Sequence, residues 1–386
     1  MKAIGLALLL TCASIAAAQT PAPAVWQMQE SGSTASLRGI FSVDESVAWA
    51  SGSEGTVLKT TDGGAHWQKC AVPDAATDGA TLDFRGVQAW DTTTAIVMAS
   101  GPGEKSRLYK TVDGCGTWKL VFKNPDNDGF WDAISFSLPS PGAKMKLTGF
   151  LIGDPVAGNF PVFVTLDGGD TWRRWGKRGS ARRGECGERQ PSATRQESLF
   201  AASNQAVLKF FSSPFMFVTG GSSDTRLIYS DFHDFDGPPC WTSFTSVKLP
   251  MASGSASAGA FAVANKNDGY FPMELMVVGG DYSKPDDTSG TSVFLKGKNG
   301  ANLWFSSAFT ASTPIISPHG FRSAVQWSEA LRVWITVGTN GSDISRDDGK
   351  RWQPLDDGSW NALSLPFVVG PKGRIARLNA AALAGK

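Results

Sequence analysis

Histidine is almost missing from this 386-residue sequence, which has three, at positions 66, 233 and 319. No Cys-x-x-Cys occurs either, and together these scarcities leave a zinc site short of ligands. Past the first eighteen residues no run approaches the roughly 18 apolar residues that a membrane-spanning helix needs, so an integral membrane protein is not expected. An excess of one charge is also lacking: 36 Lys and Arg face 35 Asp and Glu. That balance does not suggest a general binder of nucleic acid or of membrane surfaces. There is no Gly-x-Ser-x-Gly elbow and no Gly-rich dinucleotide fingerprint opening a βαβ unit, so no cofactor and no metal are expected. Ala-rich helical runs are confined to the two ends of the chain.

At the start, residues 1–18 hold a Lys, the apolar run AIGLALLL and small residues ending IAAA, the pattern of a secretory signal peptide. The expectation is an exported protein, periplasmic or secreted, with residues 19–24 as a short linker. Four cysteines lie beyond the leader, Cys70, Cys115, Cys186 and Cys240, in a compartment that permits disulfides. Three pairings are possible, and spacing does not choose among them. With 43 Gly and 14 Trp the composition favours short strands and tight turns.

A repeat then sets the fold. KTTDGGAHWQ around Asp62 returns as KTVDGCGTWK around Asp113, VTLDGGDTWR around Asp167 and ISRDDGKRWQ around Asp347. In each, a Trp follows five residues after the Asp: Trp67, Trp118, Trp172 and Trp352. Weaker copies sit at Asn299 with Trp304, and stretched between Asp231 and Trp241. Three β-rich runs precede each turn and a Trp-headed run follows, which makes a four-stranded antiparallel blade. Inner strands are expected to start near Leu37, Phe84, Trp131, Phe200, Ala258, Phe321 and Asn361, so the ring has seven blades. The last unit lacks its Trp strand, and VWQMQ at 25–29 supplies it. The expected architecture is therefore an all-β, seven-bladed β-propeller over residues 25–380, closed by its N-terminal strand, with 381–386 as a tail.

The Ser/Thr-x-Asp-x-Gly-x-x-Trp pattern resembles the Asp-box, or BNR, repeat of sialidases and other WD40-like and YVTN-like propellers. Its second copy departs from it, with Cys115 in place of the second Gly. With FRGVQAW, LIGDPVAGNF, VVGGDY and VVGPKGRIARL between the boxes, the chain is similar to bacterial relatives of the photosystem II stability and assembly factor propellers. The resemblance implies seven blades and a non-enzymatic, scaffold-like binding role. The box residues are expected to be structural, the Asp accepting hydrogen bonds from its own turn and the Trp filling space between blades.

Function is sought instead where the loops lead into the inner strands. Arg38, Arg85, Asp132, Arg322 and Asn361 stand there, and three Arg on one face could hold a carboxylate or phosphate. The alternative is that they pair with acids such as Asp83 or Asp132 and plug the channel. Glu104, Arg107, Asp154, Asp281, Tyr282, Arg195 and Glu197 are further candidate contacts. The expected partner is a protein, a peptide, or a small anionic molecule or glycan, bound by a monomer. The competing reading is a sialidase-type glycoside hydrolase, with Arg38, Arg85 and Arg322 as its triad and Tyr282 or Tyr109 as nucleophile. The Phe/Tyr-Arg-Ile-Pro signature that this would require is missing.

Overall fold

A computed structural model describes residues 24–137, 147–176, 189–208, 215–230, 243–266, 273–297 and 309–383. The leader, the copies at Asn299 with Trp304 and between Asp231 and Trp241, and the cysteines 186 and 240 lie outside the described residues. Among the described residues the strands form seven antiparallel sheets arranged as a ring of four-stranded blades, the fifth extended at its inner edge by Gly220–Gly221 and Glu197–Ser198.

Blade 1 runs Leu37–Ser42, Ala48–Gly52, Val57–Thr60 and Gln68–Lys69 from the channel outward, and blade 2 runs Phe84–Ala89, Ala95–Ala99, Arg107–Thr111 and Lys119–Lys123. The chemistry of each strand follows its radius. Second strands such as AIVMA and GFLIG are packed on both faces and are buried throughout. Outer strands such as KLVFK, with Lys at both exposed ends, face solvent.

The seventh blade is completed as expected, because Trp26–Gln29 pairs antiparallel with Ile375–Leu378. Trp26 is buried, its Nε1 donates to Ser342 Oγ at 2.9 Å, and its ring lies 6.0 Å from that of Trp360. Leu383, from the expected tail, packs into the same apolar cluster.

Four hairpins repeat one hydrogen-bond set. Thr60 Oγ1 donates to Asp62 Oδ1 and accepts from Gly64 N–H, while Asp62 Oδ1 also accepts from His66 N–H. The same bonds recur at Thr111 with Asp113, Thr165 with Asp167 and Ser345 with Asp347. The turn needs two consecutive left-handed residues, met by Gly63 and Gly64 at φ 72° and 88°. Cys115 occupies the second of these positions at φ 73°, where it is bonded to Cys70 and ties blade 1 to blade 2. Trp67 packs edge-on against Phe367 of the seventh blade, and Trp172 packs against Phe122 of the second and Phe136 of its own.

Blade 4 departs from expectation. Its inner strand is Val207–Leu208 rather than a run from Phe200, and Glu197–Ser198 pairs with Gly220–Gly221 before it. Between them residues 199–206 leave the sheet and cross the channel. Inner-edge strands carry unpaired backbone groups, and this segment satisfies several of them. Asn204 Oδ1 accepts from Ile134 N–H, Gln205 Oε1 from Val325 N–H, and Gln205 Nε2 donates to the Leu363 carbonyl. Ser203 Oγ donates to the Ser323 carbonyl at 2.6 Å. Blades 6 and 7 begin their inner strands slightly later than expected, at Ala324 and Ala362.

If the borrowed strand closes the ring, Trp26→Ala lowers unfolding stability by about 3 to 5 kcal/mol, the range for emptying a buried Trp site. Urea denaturation measures it, and a loss below about 1 kcal/mol would remove Trp26 from the closure.

Candidate binding site

One local device builds the channel mouth. In blades 1, 2 and 3 the pairing of the inner strand with the second strand skips one residue, and the skipped residues are Arg38, Arg85 and Asp132. Blade 5 skips Phe261 in the same way. A β-bulge turns its extra residue out of the ladder, and here it aims that side chain into the mouth.

The resulting cavity, of about 400 Å³, is lined on one side by Arg38, Arg85, Asp132, Asp154 and Asn361, and on the other by Phe200, Phe261, Tyr282 and Phe321. Phe261 stacks on Phe200 with centroids 3.9 Å apart and meets Phe321 edge-on at 4.7 Å. Tyr282 stands at the rim, half exposed. Ala201 and Ala202 of the crossing segment form the floor, and a second cavity of about 270 Å³ lies beyond Ser203, Asn204 and Gln205 at the opposite end.

The two arginines share Asp83. Arg85 Nε donates to Asp83 Oδ2 at 2.8 Å and Arg38 Nε lies 3.9 Å from Oδ1. Arg85 Nη1 also reaches the Ala201 carbonyl at 3.3 Å, so the floor and the charged side are tied together. Both side chains keep about a third or slightly less of their surface open to the cavity, at 33% and 28%. Burial lowers the Arg38 pKa, and Asp83 opposes that shift.

The carboxyls behave differently. Burial pushes Asp132 well above the usual carboxylate range, the charge of Asp154 adds to the rise, and Arg85 opposes it. Asp154 is raised by burial to about 6, against the Leu199 N–H that donates to its Oδ1 at 2.9 Å. Asn361 is held by its own bond, from Nδ2 to the Leu37 carbonyl at 2.7 Å.

The remaining candidates lie elsewhere. Arg322 is fully buried, its Nε donating to Asp343 Oδ2 at 2.6 Å and its Nη1 to Asn340 Oδ1 at 2.6 Å, with His319 alongside. It supports its own blade, and Phe321 takes the place expected for it in the mouth. Glu104 and Arg107 belong to a rim cluster between blades 1 and 2, in which Arg107 clasps Asp78, and Tyr109 donates to Asp74 at 2.6 Å. Burial raises Tyr109 to about 12. Glu197 is clasped by Arg226 and Thr219, Arg195 is exposed at the surface, and Asp281 accepts from Ser283 and Ser255. The three arginines do not share a pocket, and Tyr109 does not reach it, so the sialidase triad is not assembled.

Of the aromatic side only Tyr282 had been expected. Phe261 carries the signal that was available, since it stands at the start of an inner strand as Arg38 does, but a search for charge passes over it.

The raised carboxyls fix a pH response. A fold that binds more protons than its unfolded chain loses stability as pH rises, here through about 6. His319, raised by its bond to Asp343, gives a slope of the same sign above its own ordinary value. The useful quantity is therefore the difference between wild type and Asp154→Asn, which keeps an acceptor for Leu199 N–H. Above about pH 7 the variant should be more stable by about 1 to 3 kcal/mol, the gain vanishing below about pH 4. Thermal unfolding across that range tests it, and a variant destabilised throughout would mean that charged Asp154 is held favourably.

Comparisons with known proteins were made against this geometry. No family model matches the chain, and no curated protein matches it. Among solved structures, YCF48 bound to D1 peptide is similar over 92% of this chain and 96% of that one, at 14% identity and a TM-score of 0.55. YCF48 from Cyanidioschyzon merolae is similar over 93% and 100%, at 17% identity and 0.54. The WD40 β-propeller domain of Doa1 is similar over 92% and 98%, at 11% identity and 0.51. At such identities the likeness is one of fold: this chain is a seven-bladed β-propeller similar in shape to the YCF48 and WD40 propellers.

Proposed function

We propose that this protein is an exported, non-catalytic propeller that binds a peptide segment of a client protein at the channel mouth, in the manner of an assembly factor. The observation that carries the reading is the divided cavity, in which bulges present Arg38, Arg85 and Asp132 opposite the wall of Phe200, Phe261, Phe321 and Tyr282. Peptides offer both carbonyl or carboxylate acceptors for the arginines and apolar side chains for the wall. A YCF48 structure that shares the fold holds a D1 peptide, which supports the choice of peptide over small metabolite. Export is supported by the leader pattern of residues 1–18 and by the Cys70–Cys115 disulfide, since such bonds persist in oxidising compartments. The four repeated hairpins we read as Asp-boxes, serving the blades and not the ligand.

Fluorescence anisotropy with labelled peptides that pair an acidic residue with an apolar one tests the site. Arg38→Ala with Arg85→Ala should weaken binding by roughly 10-fold or more, the loss of charge-assisted hydrogen bonds, and added salt should weaken the wild type but hardly the variant. Gln88→Ala, at the opposite end of the channel, should leave binding unchanged. Equal affinity for the double variant and the wild type would move the ligand away from this mouth.

A further inference from the structure

Asp132 meets the backbone N–H groups of Asp154 and Ala201, yet one of its oxygens is left without a partner. Its residue is 1% exposed, it lines the cavity, and its Oδ2 has no hydrogen-bond partner. No cation among the described residues lies within ion-pair distance of Asp132 or Asp154. Arg85, the nearest in effect, is turned to Asp83 and Ala201, and Arg38 lies beside Asp83. Two carboxyls therefore share this corner with Arg85 as their nearest opposing charge, and burial shifts both toward the protonated form.

We propose that Asp132 and Asp154 seat the ammonium group of a ligand, so that the cavity takes a primary amine carried next to an apolar side chain, as at the N-terminal residue of a peptide. The proposal rests on the reading that this cavity binds peptide, and it specifies which part of the peptide enters. An ammonium has three donors on a compact head and fits a corner that offers carboxylate oxygens. A divalent metal fits it poorly, because no group of three His, Cys, Asp or Glu side chains stands together among the described residues. The aromatic wall lies on the far side of the same cavity, where the N-terminal side chain would rest on Phe261 and Phe321. Arg38, with its Nε unpartnered and its side chain partly open, is left to meet a carbonyl or carboxylate further along the chain.

Seating the ammonium exchanges one positive charge for another. A proton held by the carboxyl pair leaves to solvent, and the ionised pair then accepts hydrogen bonds from the ligand's N–H groups. The groups facing the pair are Arg85 and Arg38 with Asp83 from blades 1 and 2; Tyr282 stands across the cavity.

Calorimetry on the full chain separates the possibilities, using phenylalaninamide and N-acetylphenylalaninamide, which differ at the amine. The titrations are run at about pH 6.5, below the ordinary pKa of an α-amino group. Phenylalaninamide should bind roughly 10-fold to 100-fold more tightly, with a heat that changes between two buffers of different ionisation enthalpy because a proton is released. In Asp132→Asn that preference and the buffer dependence should disappear, while the acetylated probe binds as before, which also shows that the variant is folded. Equal binding of the two probes by wild type, or a preference that survives in Asp132→Asn, overturns the ammonium seat and leaves the cavity reading standing. If neither probe binds at all, both readings fall.

Discussion

A ring of separate sheets holds only if its last sheet is locked to its first, and here the lock is the pairing of Trp26–Gln29 with Ile375–Leu378. Inner strands in a propeller contact the neighbouring blades through side chains, so an open seam would expose two apolar faces at once. Trp26 anchors the borrowed strand beside Trp360 and Ser342 of the sixth blade, and Gln29 of the same strand crosses the seam to Gly63 and Trp67 of the first. The lock fixes the radius of the ring, and the radius fixes how far Arg38, Arg85, Asp132 and Phe261 stand from one another across the mouth.

A ring also leaves a problem at its axis, where inner strands face a channel with polar backbone groups still unpaired. This chain answers with residues 199–206, which lie across the channel and bond to blades 3, 6 and 7 through Asn204, Gln205 and Ser203. The crossing segment turns a channel into two blind cavities. Beside it two backbones approach closely: a Cβ on Gly220 would lie 2.5 Å from Gly259 Cα, and Phe200 is packed against the same spot. The floor is therefore built together with the wall, because the segment that supplies Ala201 and Ala202 also supplies Phe200.

The repeat made the blades, their number and the closing strand legible, because the turn that joins third and fourth strands needs an Asp, left-handed residues and a Trp at fixed offsets. Cys115 was visible as an exception, but its reason was not: a left-handed position accepts the cysteine where it bonds to Cys70. Arg38, Arg85 and Asp132 were found because a bulge recurs at one place in the repeat. Arg322 misled, since its blade begins its inner strand two residues later and the side chain turns inward to Asp343. The crossing segment carries no periodic signal at all. Its side-chain bonds join residues 70 to 158 positions apart, as Asn204 joins Ile134 and Gln205 joins Leu363, and only the closed ring brings them together.

Carboxyls in this fold divide by the direction in which their surroundings move them. Asp62, Asp113 and Asp167 are held down at about 2 chiefly by the backbone N–H groups and side chains of His66, Thr117 and Thr171, with Thr60, Thr111 and Thr165 adding to them. A carboxylate so fully supplied with donors has no capacity left for a ligand, which is why an acidic residue repeated around the rim makes a hairpin and not a site. Asp132 and Asp154 are moved the opposite way by burial without donors enough to match it. Such groups are kept in a fold at a cost to its stability, and their presence in a cleft is the mark of a candidate site. The same reasoning separates the two groups of arginines: Arg322 and Arg107 are completed by Asp343 and Asp78 and hold blades together, whereas Arg38 at the mouth retains an unpartnered Nε. Incomplete charge of both signs, gathered opposite an aromatic wall, is what supports the proposal that this propeller meets another molecule at the mouth.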